Sequence, residues 1–266
     1  MPQTVLVFAA HPDDAEFFAG GTLVRLARQG ARLILVIATD GRKGSFEYRG
    51  EELARLRSEE EARRAALVLG AEPPILLGHP DLELDTLPPG RLREQFMRLI
   101  RQHTPDMLFA HDPFAPAELH PDHRAVAWAA SDAVNFAPLP LMHPEHLTEG
   151  LRPHFVVEKY WFSDGAVGAN KIVNIGDTFD AKLAALAEHK SQITFLVEDV
   201  LRQAKLAGLD PQSMLGAAAG DPMAAMTWAM QAQASEVGRR AGMQYGEAFR
   251  YTRFHPFVEN LLAGLT

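Results

Sequence analysis

The chain has 266 residues, 47% hydrophobic and 23% charged, with a formal net charge of −8 and no cysteine. This is ordinary globular composition with material for a sizeable core, and it lacks the basic footprint that nucleic acid or an anionic membrane requires. Without cysteine there is no disulfide framework, thiolate nucleophile or cysteine-based zinc site, so any metal must sit on His, Asp or Glu. The opening MPQTVLVFAAHPDD carries no positive n-region, and its apolar run is too short for a signal core or a membrane span, so a cytoplasmic protein is expected.

In chain order, Val5 to Ala10 and Arg32 to Thr39 are continuous apolar runs, the pattern of parallel strands covered on both faces. Between them Phe17, Phe18, Leu23, Leu26 and Ala27 recur at helical spacing up to Gly30, which completes a βαβ unit. The alternation continues with a helix over about 51–69, a strand over 75–77, a helix over 91–103, a strand over 107–110, the loop FAPAELHP and a helix from His123 to about Asn135. Residues 136–154 are rich in Pro and His and read as a loop excursion. VVEKYWF and KIVNI read as two further strands, 179–200 as a helix, and 201–244 as an Ala- and Met-rich tail with helical tendency. The expectation is an α/β fold, a Rossmann-like, doubly wound and mostly parallel sheet with C-terminal elaborations. It is read as one domain over 1–266, in which 1–135 carries the site and 136–266 frames its mouth.

Three stretches repeat the letters HPD: His11 to Asp14 (HPDD), His79 to Asp81, and His120 to His123 (HPDH). HPDD follows a buried strand, where unpaired titratable groups would cost several kcal/mol. HPDD and HPDH taken alone also suit helix starts, with Pro near the first turn and Asp as cap or first-turn anion. Two His/Asp clusters at the mouths of strand-to-helix turns, on strands able to neighbour one another, make a ligand set suited to zinc, with groups left over for a base and an oxyanion stabiliser. The middle HPD, in LLGHPDLELD, is expected to be a turn with a solvated edge, because Leu82 and Leu84 alternate with Asp81 and Glu83. GRKGS (Gly41 to Ser45) lacks the full phosphate-loop pattern and reads as a lip of the site, and neither a dinucleotide fingerprint nor G-x-S-x-G is present. MLGAAAGDPMAAMTWAM (Met214 to Met230) reads as a core-facing helix or an apolar partner surface, with a lean toward a homo-oligomer.

AHPDD together with HPDH resembles the LmbE-like, or PIG-L, family of zinc-dependent N-acetylglucosaminyl deacetylases. RSEE (Arg57 to Glu60), AKLAALAEHKSQ (Ala181 to Gln192) and GEAF (Gly246 to Phe249) are similar to its later motifs, so the likeness spans nearly the whole chain. The resemblance implies one zinc ion held by His11, Asp14 and His123, although such ligands accept other divalent metals as well. It implies Asp13 as general base and a cationic His120 as oxyanion stabiliser and acid. Arg57 falls on the substrate side, Asp122 orients an imidazole from behind, and His189 lies at the wall of the site. The implied substrate is a small N-acetylated amino sugar or glycoside. A thiol-cofactor-conjugate amidase, another N-acyl hydrolase or a metal-dependent binding protein are the alternatives.

Overall fold

The computed structural model describes residues 2–164, 167–210, 213 and 216–264; Met214 and Leu215 of the Ala- and Met-rich stretch lie outside them. Among the described residues, seven strands form one sheet in the order β3-β2-β1-β4-β5-β7-β6. They are β1 (Thr4–Ala9), β2 (Arg32–Thr39), β3 (Ile75–His79), β4 (Met107–His111), β5 (Glu158–Phe162), β6 (Lys171–Asn174) and β7 (Gly246–Thr252). β1 to β5 run parallel, and β7 is antiparallel to both of its neighbours.

Alternation along the central strands builds two apolar layers. Leu6 and Phe8 of β1, with Ile34 and Val36 of β2, pack on one face against α4 (Arg91–His103) and α5 (Pro121–Phe136), where Phe8 stacks on Phe96 at 3.9 Å. Val5 and Val7, with Leu33 and Leu35, pack on the other face with Leu23 of α1 (Asp14–Arg28), Leu69 of α3 (Ala62–Leu69) and Ala185 of α7 (Phe179–Leu186). Burial on both faces is why these strands read as unbroken apolar runs. The chain winds outward from β1 through β2 to β3 and returns to the other side of β1 at β4. The carboxyl ends of β1 and β4 therefore flank the point where strand order reverses, the place where open α/β sheets bind ligands.

Several elements differ from the sequence expectation. The helix over 51–69 is α2 (Gly50–Arg55), a π-helical turn at Leu56–Glu61 and then α3. The expected helix over 179–200 is broken at residues 187–189 into α7 and α8 (Lys190–Leu206), because Glu61 accepts from the backbone N–H (2.9 Å) and the hydroxyl (2.6 Å) of Ser191 and anchors a new first turn. Residues 136–154 include only a short helix, α6 (Glu145–Thr148). GEAF is the start of strand β7, followed by α10 (Pro256–Ala263), and the tail contains α9 (Pro222–Arg239). Among the described residues no helix is long and apolar enough to cross a membrane.

Candidate metal centre and active site

β1 delivers HPDD to the reversal point, and the Asp14 carboxylate closes the turn. Its Oδ2 accepts from the backbone N–H groups of Ala10 and His11, both at 2.8 Å, and lies 2.9 Å from His111 Nε2. Oδ1 is left facing His123 Nε2 at 3.5 Å. Burial opposes ionisation of Asp14, but the imidazoles of His123 and His111 hold its carboxyl well below the usual range.

HPDH reaches the same place from β4. His120 caps α5 with Pro121 in its first turn, which turns His123 inward. His11 Nδ1 and His123 Nε2 lie 3.1 Å apart, and His11 Nδ1 lies 3.8 Å from the Asp14 carboxylate. Ligand atoms ~2.0–2.1 Å from a tetrahedral zinc are roughly 3.3 Å from one another, so the His11–His123 spacing suits that ion, with one oxygen of the Asp14 carboxylate close to each ring. The far nitrogens fit it as well. His11 Nε2 faces Asp81 Oδ1 at 3.2 Å and Asp122 Oδ2 at 3.3 Å, while His123 Nδ1 faces Glu118 Oε2 at 3.1 Å. A carboxylate behind each imidazole fixes the tautomer that turns a lone pair forward, the usual arrangement around metal-bound histidine. Burial works against charge on both rings, but those carboxylates with Asp14 raise His11 well above its ordinary value and lift His123 to about 9. The same surplus of negative charge favours a divalent cation.

Asp13 sits beside this cluster and is 6% exposed. Burial pushes it up to about 6, against the lowering influence of Arg57. Arg57 lies on the π-helical turn and donates to Asp13 Oδ1 at 3.2 Å and to the Gly41 carbonyl at 2.9 Å. Gly41 has φ +66°, and a Cβ there would stand 2.4 Å from the Arg57 guanidinium, so the lip must carry glycine at this position. Arg57 also lines a cleft of about 680 Å³ that opens over His11, Asp13, Asp14, His120 and His123.

Asp122 is completely buried and, besides facing His11, accepts from the backbone N–H groups of Leu82 (2.7 Å) and Leu84 (3.2 Å). Four expectations need correction. The middle HPD leads into a turn with Leu82 and Glu83 exposed, as expected, but Asp81 belongs to the site. Asp81 is 4% exposed, held down to about 2 by His11 against the opposing effect of burial, and tied by Oδ2 to the Lys43 N–H at 3.0 Å. Leu82 adopts φ 61°, which ends the apparent edge-strand alternation and turns Asp81 inward. His120 is not favoured as a cation: burial, reinforced by His11 and His123, pushes it down to about 4. Its Nδ1 accepts from the Asp122 N–H at 3.2 Å, so the neutral ring carries its proton on Nε2. His189 is not at the wall; it is completely buried behind Asp13, 3.5 Å from Glu16 Oε2. Finally, residues 136–154 line no part of the cleft, whose far side is built by α8 and α9.

His111 and Glu118 are further members that the sequence reading did not assign. A signal existed for each: FAHD ends β4 as FAAHPD ends β1, and Glu118 is the acid in the loop just before HPDH. Apart from Arg57 and Gln192, which line the cleft, the later motifs act as scaffold. Glu247 accepts from the Gly21 and Thr22 N–H groups and the Thr22 hydroxyl, and pairs with Lys182 at 2.7 Å, which clamps β7 and α7 onto α1. In RSEE the buried acid is the following residue, Glu61, whereas Glu60 is exposed.

A family model described as PIG-L, GlcNAc-PI de-N-acetylase, matches residues 6–134, a span holding every residue of the cluster. Diacetylchitobiose deacetylase of Thermococcus kodakarensis is 36% identical over 190 residues, covering 71% of this chain and 69% of that protein. A Bacillus cereus protein named "Probable N-acetyl-alpha-D-glucosaminyl L-malate deacetylase 2" is 28% identical over 209 residues, covering 75% and 88%. Among solved structures, N,N′-diacetylchitobiose deacetylase from Pyrococcus horikoshii superposes with a TM-score of 0.77 at 29% identity, covering 97% of this chain and 88% of that one. The chain belongs to the PIG-L family of LmbE-like deacetylases.

Proposed function

We propose that the protein is a zinc-dependent N-deacetylase that hydrolyses the acetamide of an N-acetylglucosamine-type substrate to the free amine and acetate. The observation that carries this reading is the convergence of His11 Nδ1, His123 Nε2 and the Asp14 carboxylate at 3.1 to 3.8 Å, each imidazole backed by a carboxylate, beside a buried acid that titrates near neutrality. The relatives named above support the sugar. In this reading the partner is a small N-acetylated amino sugar or glycoside met in the cytoplasm.

His11, Asp14 and His123 hold the ion, with Asp81, Asp122 and Glu118 fixing the two rings. When bound there, a divalent ion supplies Lewis acidity, which makes an attacking water deprotonable near neutral pH and draws charge from an amide oxygen. Asp13 takes the water's proton on Oδ2, since Oδ1 is engaged by Arg57, and later delivers it to the departing amine nitrogen. A carboxyl that titrates near 6 suits both transfers at neutral pH. His120 acts as a neutral donor, aiming Nε2–H at the amide oxygen as charge develops on it. Arg57 orients Asp13 and closes the floor of the cleft under the Gly41 turn.

The test is release of free amine and acetate from N-acetylglucosamine and a simple glycoside by protein stripped with a chelator and then reloaded with one equivalent of zinc. Turnover that appears only after reloading supports the reading. One equivalent of bound metal without turnover refutes it in favour of a conjugate amidase or a binding protein.

A further inference from the structure

The cleft over the candidate centre is chemically two-sided. Its floor carries the titratable cluster, while its far wall is formed mainly by Phe195, Leu196 and Val200 of α8 and Met226, Ala229 and Met230 of α9, with Gln192 and Gln233 as the polar members of the same helices. Leu196 and Val200 stand four positions apart, with Phe195 beside them, and Met226 stands three and four positions from Ala229 and Met230, so each helix turns one apolar stripe toward the same space, and α8 and α9 pack against each other. Such stripes normally close onto a core. Here Val200 is 60% exposed, and Leu196 and Met230 are only half-buried, although all three face into the cleft.

Contiguous apolar surface inside a cleft marks a binding groove, and at about 680 Å³ this one is sized for far more than an acetyl group. Gln192 and Gln233 are the polar side chains these two helices add to the cleft, so a hydroxyl-rich ligand along the wall would leave most of its hydroxyls without partners, which is unfavourable once water is displaced. Methionine adds a flexible surface able to fit an alkyl or aryl shape.

We propose that the wall on α8 and α9 is a subsite for an apolar substituent, so that the substrate is an N-acylated hexosamine bearing an alkyl or aryl group rather than a second sugar ring. The inference rests on the deacetylase reading above. The hexosamine lies on the polar floor with its amide at the ion, and the apolar group lies along Phe195, Leu196, Val200 and Met230. That group can enter from the anomeric side or as a longer acyl chain; the chemistry recognised is the same.

The experiment compares four substrates with zinc-loaded enzyme by detecting the liberated amine. They are N-acetylglucosamine, N,N′-diacetylchitobiose, hexyl N-acetylglucosaminide and N-hexanoylglucosamine. Seating two to three methylenes at ~0.8 kcal/mol each raises kcat/KM about 10- to 50-fold over N-acetylglucosamine, mainly through KM. Preference for the hexyl glycoside assigns the wall to the aglycone, and preference for the hexanoyl amide assigns it to the acyl chain; either supports the subsite. Val200→Ser, at an exposed position, and Met230→Gln lower the ratio of hexyl-substrate to N-acetylglucosamine efficiency by several-fold. A ratio unmoved by both variants, or diacetylchitobiose as the best of the four, overturns the subsite and leaves the deacetylase reading standing. No amine from any of the four overturns both.

Discussion

Replacing Asp81 by asparagine is expected to weaken zinc binding about tenfold while leaving the fold intact. Asp81 Oδ1 lies 3.2 Å from His11 Nε2, and the proton on that nitrogen is what keeps Nδ1 free for the ion. Carboxylates behind a metal-bound histidine typically contribute 10- to 100-fold in affinity. Asp122 Oδ2 remains at 3.3 Å in the variant, so the loss falls at the lower end, about 1.4 kcal/mol. The amide oxygen of asparagine can still accept from the Lys43 N–H, which Asp81 holds at 3.0 Å, so the melting temperature should move little. Competition against a chromophoric chelator gives the affinity, and a thermal melt of the stripped protein controls for folding. A zinc Kd within twofold of the parent, with an unchanged melt, would refute the assignment of Asp81 as the partner of a liganding His11.

Asp13→Asn is expected to retain one equivalent of metal and lose roughly 10²- to 10⁴-fold in turnover, read by metal content beside amine release; loss of the metal would contradict its role as base. His120→Ala should likewise keep the metal and lose ~10²- to 10³-fold in kcat, whereas His123→Ala should empty the site, and the two are separated by metal analysis. Lys182→Met removes the counter-charge of the buried Glu247 carboxylate, which keeps the Gly21 and Thr22 donors, and should destabilise by about 3 kcal/mol, a fall of ~10 °C in Tm, with partial recovery in the Lys182→Met, Glu247→Gln double variant. Lys159 is pushed down to about 8 by burial, so folding penalises its charged form. That penalty is fully present below about pH 8 and vanishes above the unfolded value near 10.4, so the stability of Lys159→Met relative to the parent should decline across that window. A pH-independent difference in denaturant midpoint would show that Lys159 is not desolvated.

The doubly wound sheet was legible because β1, β2 and β4 are buried on both faces and HPDD and HPDH each sit where such a strand meets a helix. Their meeting at 3.1 Å follows from β1 and β4 being neighbours at the reversal of strand order. Asp81 was illegible for the converse reason: its inward turn depends on the backbone of Leu82 at φ 61° and on Asp122 accepting from Leu82 and Leu84, contacts that no local pattern encodes. The charge state of His120 is set first by burial and then by His11 and His123, and the burial and the approach of His11 come only from the fold. The break between α7 and α8 arises from Glu61, which lies 130 positions from Ser191. The apolar wall was visible as an Ala- and Met-rich stretch, but a core-facing helix and a cleft-lining helix have the same periodicity, and only the open space beside α8 separates them.

The central claim is that His11, Asp14 and His123 hold the ion on which the chemistry depends. Its most direct test is anomalous diffraction at the zinc edge from crystals soaked with one equivalent of zinc. The account predicts one dominant peak at ~2.0–2.2 Å from His11 Nδ1, His123 Nε2 and an Asp14 carboxylate oxygen. A peak centred on another group of residues, or no peak in protein that releases acetate, would contradict it.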